Sequence, residues 1–225
     1  PLTLQQYVKI LKQGNFLSYF GNSFIIAMST TVISIVLGSL AAYGLAIMKS
    51  NWGNRISTFL LFSKLVPTIT IMIPLYIILD KVHLLGTYVG PILAHVSVNA
   101  PFVAWLVLGF IRDIPGDLFE AGKLDGCTRM QVFWKIVFPL LSPAIGSALL
   151  LVMQYSWNEL LFSMQYTNLH TYTLTVGVSR FVGAISVDWG QSSAAATIVM
   201  VPIIIAGFFL QKYLVSGLTA GAVKG

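Results

Sequence analysis

Two groups of polar residues stand out against a very apolar background. The first lies in the run IPGDLFEAGKLDGCTRMQVFWKIVFPLLSP, from Ile114 to Pro143. Asp117 can cap a helix there, and Glu120 follows three residues later, the spacing of a capping box. A short helix from Leu118 to Leu124 is expected, ended by Gly126 in a left-handed conformation. It would carry Leu118, Phe119 and Ala121 outside the bilayer, and an apolar helix facing water wants a groove on a partner. The second group falls inside apolar segments, where polar side chains are expensive and therefore informative. His95 and Asn99 are four apart and share a helix face, as do Gln154 and Asn158, with Tyr155, Trp157 and Glu159 beside them. Amides and a carboxylate next to aromatic faces suit sugar hydroxyls. The alternative is that these groups, with Asn22, satisfy one another between helices.

Other chemistries lack their residues. There is no G-x-x-x-x-G-K-[ST] phosphate loop and no H-E-x-x-H, so neither ATP hydrolysis by that route nor a zincin site is encoded. Cys127 is the single cysteine, which excludes an internal disulfide and a multi-cysteine metal site. His83, His95 and His170 are scattered, and Asp80 and Asp113 fall on opposite membrane faces in the topology below. An enzyme is unsupported, and energy must come from elsewhere.

The elements that hold these residues follow from composition. Of 225 residues, 56% are hydrophobic and 9% charged, and mean hydropathy is +0.84. Soluble domains carry about a quarter charged residues, so this is an integral membrane protein. A span needs about 20 apolar residues. Five stretches qualify: Phe24–Met48, Ile56–Leu79 with Lys64, Val89–Ile111, Leu140–Phe162 with Glu159, and Ser193–Gln211. They do not alternate apolar with polar, so a barrel is excluded. Pro67 and Pro74 should kink the second span, and Lys64 near its end can snorkel. Residues 3–13 read as an amphipathic surface helix with Leu4, Tyr7, Val8 and Leu11 on one face.

Charge sets the orientation. Lys49, Arg55, Arg112, Lys123, Arg129, Lys135, Lys212 and Lys224 gather on one side, and Lys9, Lys12, Lys81 and Arg180 on the other. The richer side is cytoplasmic, which puts residue 1 outside and Gly225 inside. Five spans with an external start imply an earlier, sixth helix that this chain lacks. The net charge of +6 is spread without Lys/Arg runs, so it suits anionic lipid rather than nucleic acid.

The Ile114–Pro143 run resembles the "EAA" loop of ATP-binding-cassette importer permeases. That motif reads Glu-Ala-Ala, then Asp-Gly-Ala, then Ile-x-Leu-Pro. Glu120, Ala121, Asp125, Gly126, Ile136 and Pro139 match it, Gly122 and Cys127 stand for two alanines, and Phe138 stands for the leucine. The tail GLTAGAVKG, residues 217–225, has no reason to fold alone, yet it resembles the ending of maltose-transporter-type permeases in the carbohydrate-uptake group. Ala100–Pro115 and Trp157-Asn158-Glu159-Leu160 fit the same group.

The resemblance implies an all-α type I importer permease, one transmembrane domain over residues 1–225. It carries a cytoplasmic coupling loop at 112–139, an extracytoplasmic loop at 165–192 and a cytoplasmic tail at 217–225. Glu120, Ala121, Gly122, Asp125, Gly126 and Pro139 would then form the coupling site that docks on an ATPase. Glu120 would pair with a basic residue of that ATPase, and Gly126 would let the backbone turn against it. Gly217, Leu218, Thr219, Ala220 and Gly221 would reach the interface between two ATPase copies. His95, Asn99, Gln154, Tyr155, Asn158 and Glu159 are the pathway candidates. The outer loop, with His170, Tyr172, Arg180, Phe181, Asp188 and Trp189, would meet a solute-binding protein. The implied function is ATP-driven sugar or oligosaccharide import by alternating access. The chain would sit in a bacterial or archaeal inner membrane, with a second permease, usually a different chain, as partner. No cofactor is expected on this chain, because ATP and Mg belong to the ATPase. Two alternatives stay open. One is a sugar phosphate or acidic saccharide as cargo, supported by Lys64. The other is a stand-alone secondary transporter, for which Glu159 is the intramembrane carboxylate that comes near.

Overall fold

The computed structural model describes residues 4–12, 15–48, 52–180 and 188–220, with side chains omitted at 210 and 212–220. Among them the chain is helical and contains no strand. The order is α1 Gln5–Lys12, α2 Phe16–Ala46, α3 Trp52–Ser63, α4 Thr68–Lys81, α5 Val89–Arg112 and α6 Gly116–Leu124. Then come α7 Arg129–Val132, a π-turn at Phe133–Val137, α8 Phe138–Leu140, α9 Ser142–Asn158, α10 Leu161–Tyr166, α11 Leu174–Ser179 and α12 Trp189–Ala220. Three helices, α2, α5 and α12, are long and apolar enough to cross a membrane singly. The count rises to five if α3–α4 and the α7-to-α9 segment each form one bent span. Backbone groups in lipid must be satisfied within the element, which is why apolar sequence resolves into helices.

The described residues form two units. The first comprises residues 4–12, 15–30, 67–95, 153–180 and 188–209. Its core gathers Ile10, Phe16, Tyr19, Ala27, Trp157, Leu174, Ala194 and Ala195. Trp157 is buried, and its indole N–H donates to the carbonyl of Val199 at 3.0 Å, so the tryptophan of the Trp-Asn pair ties α9 to α12. α1 docks through buried Ile10, with Tyr7 packed against the core. Leu4, Val8 and Leu11, expected to share an apolar face with Tyr7, are exposed. Ile10 lies on one flank of Tyr7 and turns it to the core, whereas Leu4, Val8 and Leu11 lie on the other flank.

The second unit comprises residues 31–48, 52–66, 96–152 and 210–220. Its core runs from Ile35, Ala42 and Tyr43 of α2 through Val103, Val107, Leu108 and Ile111 of α5. It continues to Val132, Phe133, Val137, Leu141, Ala144 and Ala148. The π-turn precedes Pro139, which has no N–H to offer the carbonyl of Lys135. The ladder there is wound wider, and Phe138 N–H reaches Phe133 O. A bend of 77° separates the α7–α8 segment from α9.

Several expected boundaries move. The Ile56–Leu79 stretch is two helices broken at 64–67, because Pro67 caps α4 and keeps Val66 out of helical geometry, whereas Pro74 sits inside α4. The Leu140–Phe162 stretch ends at Asn158 and restarts at Leu161. The 165–192 loop contains α11 and the first turn of α12. Residues 217–220 continue α12, since extending an existing helix needs no new nucleus. Gly221 and the rest of the 217–225 tail lie outside the described residues, as do Phe181 and residues 3 and 13.

Candidate functional site

The coupling candidates sit on α6 and the platform beneath it, all within the second unit. α6 opens after Pro115 (φ −55°, ψ 132°) with no side-chain cap. Asp117 is therefore inside the first turn, and the expected Asp117–Glu120 capping box does not form. Proline with extended ψ already fixes the entry, which moves the helix start two residues upstream of the expected one. The box occurs instead at Thr128 and Gln131, which exchange backbone and side-chain hydrogen bonds to open α7. The far end of α6 behaves as expected. Gly126 has φ +77°, Cys127 N–H donates to Gly122 O at 3.0 Å and Gly126 N–H to Lys123 O at 3.0 Å. That pair of bonds is a Schellman closure.

Gly122 is buried against the platform. A Cβ there would lie 2.7 Å from Ile136 Cδ1 and 3.1 Å from Val132 Cγ2. Glycine in place of the motif's second alanine thus matches the branched residues below. Phe119 stacks on Tyr43 at 6.4 Å, and the Tyr43 hydroxyl donates to the carbonyl of Arg129 at 3.0 Å. Leu118, Glu120, Ala121, Leu124 and Asp125 are exposed, Glu120 on the flank that also lines a cavity with Lys123, and Leu124 is 89% exposed. Pro139 is exposed at the start of α8. A short helix closed at its C-terminal end and seated on packed residues, with acid and leucine exposed, has the form of a docking element.

The pathway candidates divide. In the first unit Gln154 and Asn158 are exposed on one face of α9, linked by Asn158 Nδ2 donating to Gln154 O at 2.9 Å, with half-buried Tyr155 beside them. His95 and Glu159 are buried and bound to each other, Nε2 to Oε2 at 3.2 Å. His95 Nδ1 lies 2.6 Å from Ser156 Oγ. Glu159 also accepts Phe162 N–H at 2.9 Å and Ser163 N–H at 3.1 Å, so its carboxylate caps α10 and creates the break after Asn158. Asn22 is likewise engaged: its amide donates to the carbonyls of His170 and Tyr172, and it accepts from the Tyr88 hydroxyl at 2.8 Å. Arg180 lies over the Tyr172 ring at 5.6 Å. Asp188 opens α12 by accepting Gln191 N–H, which holds its carboxyl below the usual carboxylate range, and Trp189 beside it is 76% exposed.

In the second unit Asn99 accepts from Lys64 Nζ at 3.2 Å, and the ammonium stands 5.0 Å from the centre of the Phe102 ring. Lys64, expected to snorkel, has these two contacts within the unit. The chain breaks at 64–67, and the amide and aromatic face hold the cation locally. The sequence did not signal this pairing, because Lys64 and Asn99 are 35 residues apart.

Apolar helices long enough to cross a membrane, with a short exposed helix between them, define a multi-pass membrane protein. The family of binding-protein-dependent transport system inner membrane components matches residues 34–220, and the chain belongs to that family. It is 34% identical to the trehalose/maltose transport system permease protein MalG of Thermococcus litoralis, covering 99% of this chain and 82% of that protein. It is also 34% identical to the trehalose transport system permease protein SugB of Mycobacterium tuberculosis, covering 100% and 83%. Its fold is similar to a bacterial ABC transporter involved in importing the acidic polysaccharide alginate, with TM-score 0.79 at 20% identity over 94% of this chain and 80% of the other. It is also similar to the MetNI methionine ABC transporter, at TM-score 0.66 and 16% identity over 96% and 99%. The chain is a multi-pass inner-membrane transport subunit of the ABC importer type.

Proposed function

We propose that the chain is a permease subunit of an importer that carries a sugar or oligosaccharide from a solute-binding protein into the cytoplasm, driven by ATP on a partner ATPase. The observation that carries this is α6: Glu120 and Asp125 exposed, Gly122 seated on Val132 and Ile136, and Gly126 in the left-handed turn. ATP binding would close two ATPase copies, α6 would transmit the motion, and this permease with a second one would rock between inward- and outward-facing forms. The relatives named for trehalose and maltose support a neutral saccharide as cargo. On this reading α6 is cytoplasmic, ATP and Mg are bound by the ATPase, and the end of α12 from Gly217 onward reaches toward it. Gln154, Tyr155 and Asn158 face the solute path, and His95 with Glu159 positions the end of α9 that carries them.

The Lys64–Asn99 pair favours one second reading, an acidic saccharide, because a cation held within an apolar span attracts anionic solute. Competition between neutral and anionic saccharides separates the two.

The coupling reading is tested by Gly126→Asp in the intact transporter. The residue needs φ +77°, so any side chain is strained there by about 1–2 kcal/mol, and aspartate adds charge at the docking face. ATPase association and uptake should both fall sharply, while the chain still inserts and folds. Retained association with retained transport would refute the role.

A further inference from the structure

A cavity of about 480 Å³ lies beneath α6 in the second unit, walled by the C-terminal ends of α2 and α5 and by α6 and α7. One part of its wall is apolar, with Ile47, Met48, Ile111 and Val132. The other part brings three cations, Arg112, Lys123 and Arg129, against one carboxylate, Glu120. Among the described residues none of these cations forms an ion pair. Two of them are tied to neutral partners. Arg112 Nη2 donates to Asn54 Oδ1 at 2.6 Å, and the Arg129 backbone is held by the Tyr43 hydroxyl at 3.0 Å. Gly116, the first residue of the nine-residue α6, also lines the cavity, and no side chain caps that N-terminus. Its first-turn N–H groups add positive potential at the same wall. The acids that oppose an anion are Glu120 on the wall, with Asp113 and Asp117 exposed nearby on the same segment.

We propose that this cavity holds the phosphate headgroup of an anionic membrane lipid, with Arg112 and Arg129 as its ligands and Lys123 as a further cation. Two observations select lipid over a free anion. The cavity touches the ends of α2 and α5, two helices long and apolar enough to cross the bilayer, so it lies at headgroup depth. Its remaining wall is apolar and suits a glycerol backbone and the start of an acyl chain, which a free anion lacks. Basic pockets between membrane helices are a recurrent form of headgroup site. A lipid seated here would anchor the base of α6 to the membrane. The assignment does not depend on what the transporter carries.

The test equilibrates the intact transporter in mild detergent with equal amounts of phosphatidylglycerol and phosphatidylcholine and reads retained lipid by native mass spectrometry. The wild-type protein retains phosphatidylglycerol preferentially. Each basic residue near an anionic headgroup is worth roughly fivefold in affinity, so Arg112→Gln with Arg129→Gln weakens retention roughly 30-fold. Ala46→Phe fills the cavity without changing charge and lowers retention as well. Arg55→Gln, outside the cavity lining, leaves it unchanged. Melting temperatures confirm that each variant is folded. Equal retention of the two lipids by wild type, or unchanged preference in both cavity variants, would overturn the proposal. Complete displacement by excess inorganic phosphate would overturn the lipid assignment in favour of a free anion.

Discussion

Replacing Glu159 with alanine removes one carboxylate from four groups at once. The side chain accepts Phe162 N–H at 2.9 Å, Ser163 N–H at 3.1 Å and the Ser163 hydroxyl at 3.3 Å, and lies 3.2 Å from His95 Nε2. With Glu159 ionised, His95 Nε2 carries the proton and donates. Two backbone N–H groups and one ring N–H then lose their acceptor in a buried place, at ~1 kcal/mol or more each. The sum is at least ~3 kcal/mol, within the range for breaking one side of a buried pair, ~3–5 kcal/mol. Glu159→Gln keeps one side-chain oxygen and loses less, ~1–3 kcal/mol. His95→Phe preserves the planar shape and removes the ring nitrogens. In the Glu159→Ala background its cost should shrink, giving a coupling energy of ~1–3 kcal/mol in the double-mutant cycle. The assay is thermal melting of the purified transporter beside uptake at saturating solute. Stability and uptake should fall together. Wild-type melting in all three variants with uptake abolished would refute the positioning role and put the pair in direct contact with solute.

Two further outcomes follow from the packing. Gly122→Val should destabilise the seating of α6 by ~1–3 kcal/mol through overpacking against Val132 and Ile136, and Ile136→Ala should restore ATPase-coupled uptake in that background. Unaltered coupling in the single variant would mean that α6 is not seated there. Trp157→Phe removes the N–H donated to Val199 and opens a small cavity, so the melting temperature should fall by an amount matching ~2–3 kcal/mol. A variant as stable as wild type would show that this bond does not hold α9 to α12.

The membrane class is legible from composition alone, and helix α6 from local spacing, since Leu124 and Gly126 mark its end in sequence as they do in the fold. The start of that helix is not legible, because Asp117 and Glu120 have capping-box spacing while Pro115 sets the entry by its own backbone. The breaks at 64–67 and after Asn158 were hidden inside long apolar runs. The first comes from Pro67, and a proline in an apolar run signals a kink and a stop alike. The second comes from Glu159, whose capping bonds are local although its buried partner His95 is 64 residues away. A polar group in an apolar span marks a buried network as readily as a solute-facing side chain. Only packing separates exposed Gln154 and Asn158 from buried His95 and Glu159.

The measurement that bears most directly on the importer reading is reconstitution of whatever complex purifies with this chain from native membranes in mild detergent. Subunits are identified by mass spectrometry, and uptake of labelled maltose, trehalose and longer saccharides is followed in proteoliposomes with a co-isolated binding protein. An importer of this kind yields a partner bearing the G-x-x-x-x-G-K-[ST] motif that this chain lacks, a second permease, and uptake that requires ATP. Recovery of this chain alone, with uptake driven by an ion gradient and indifferent to ATP, would contradict it.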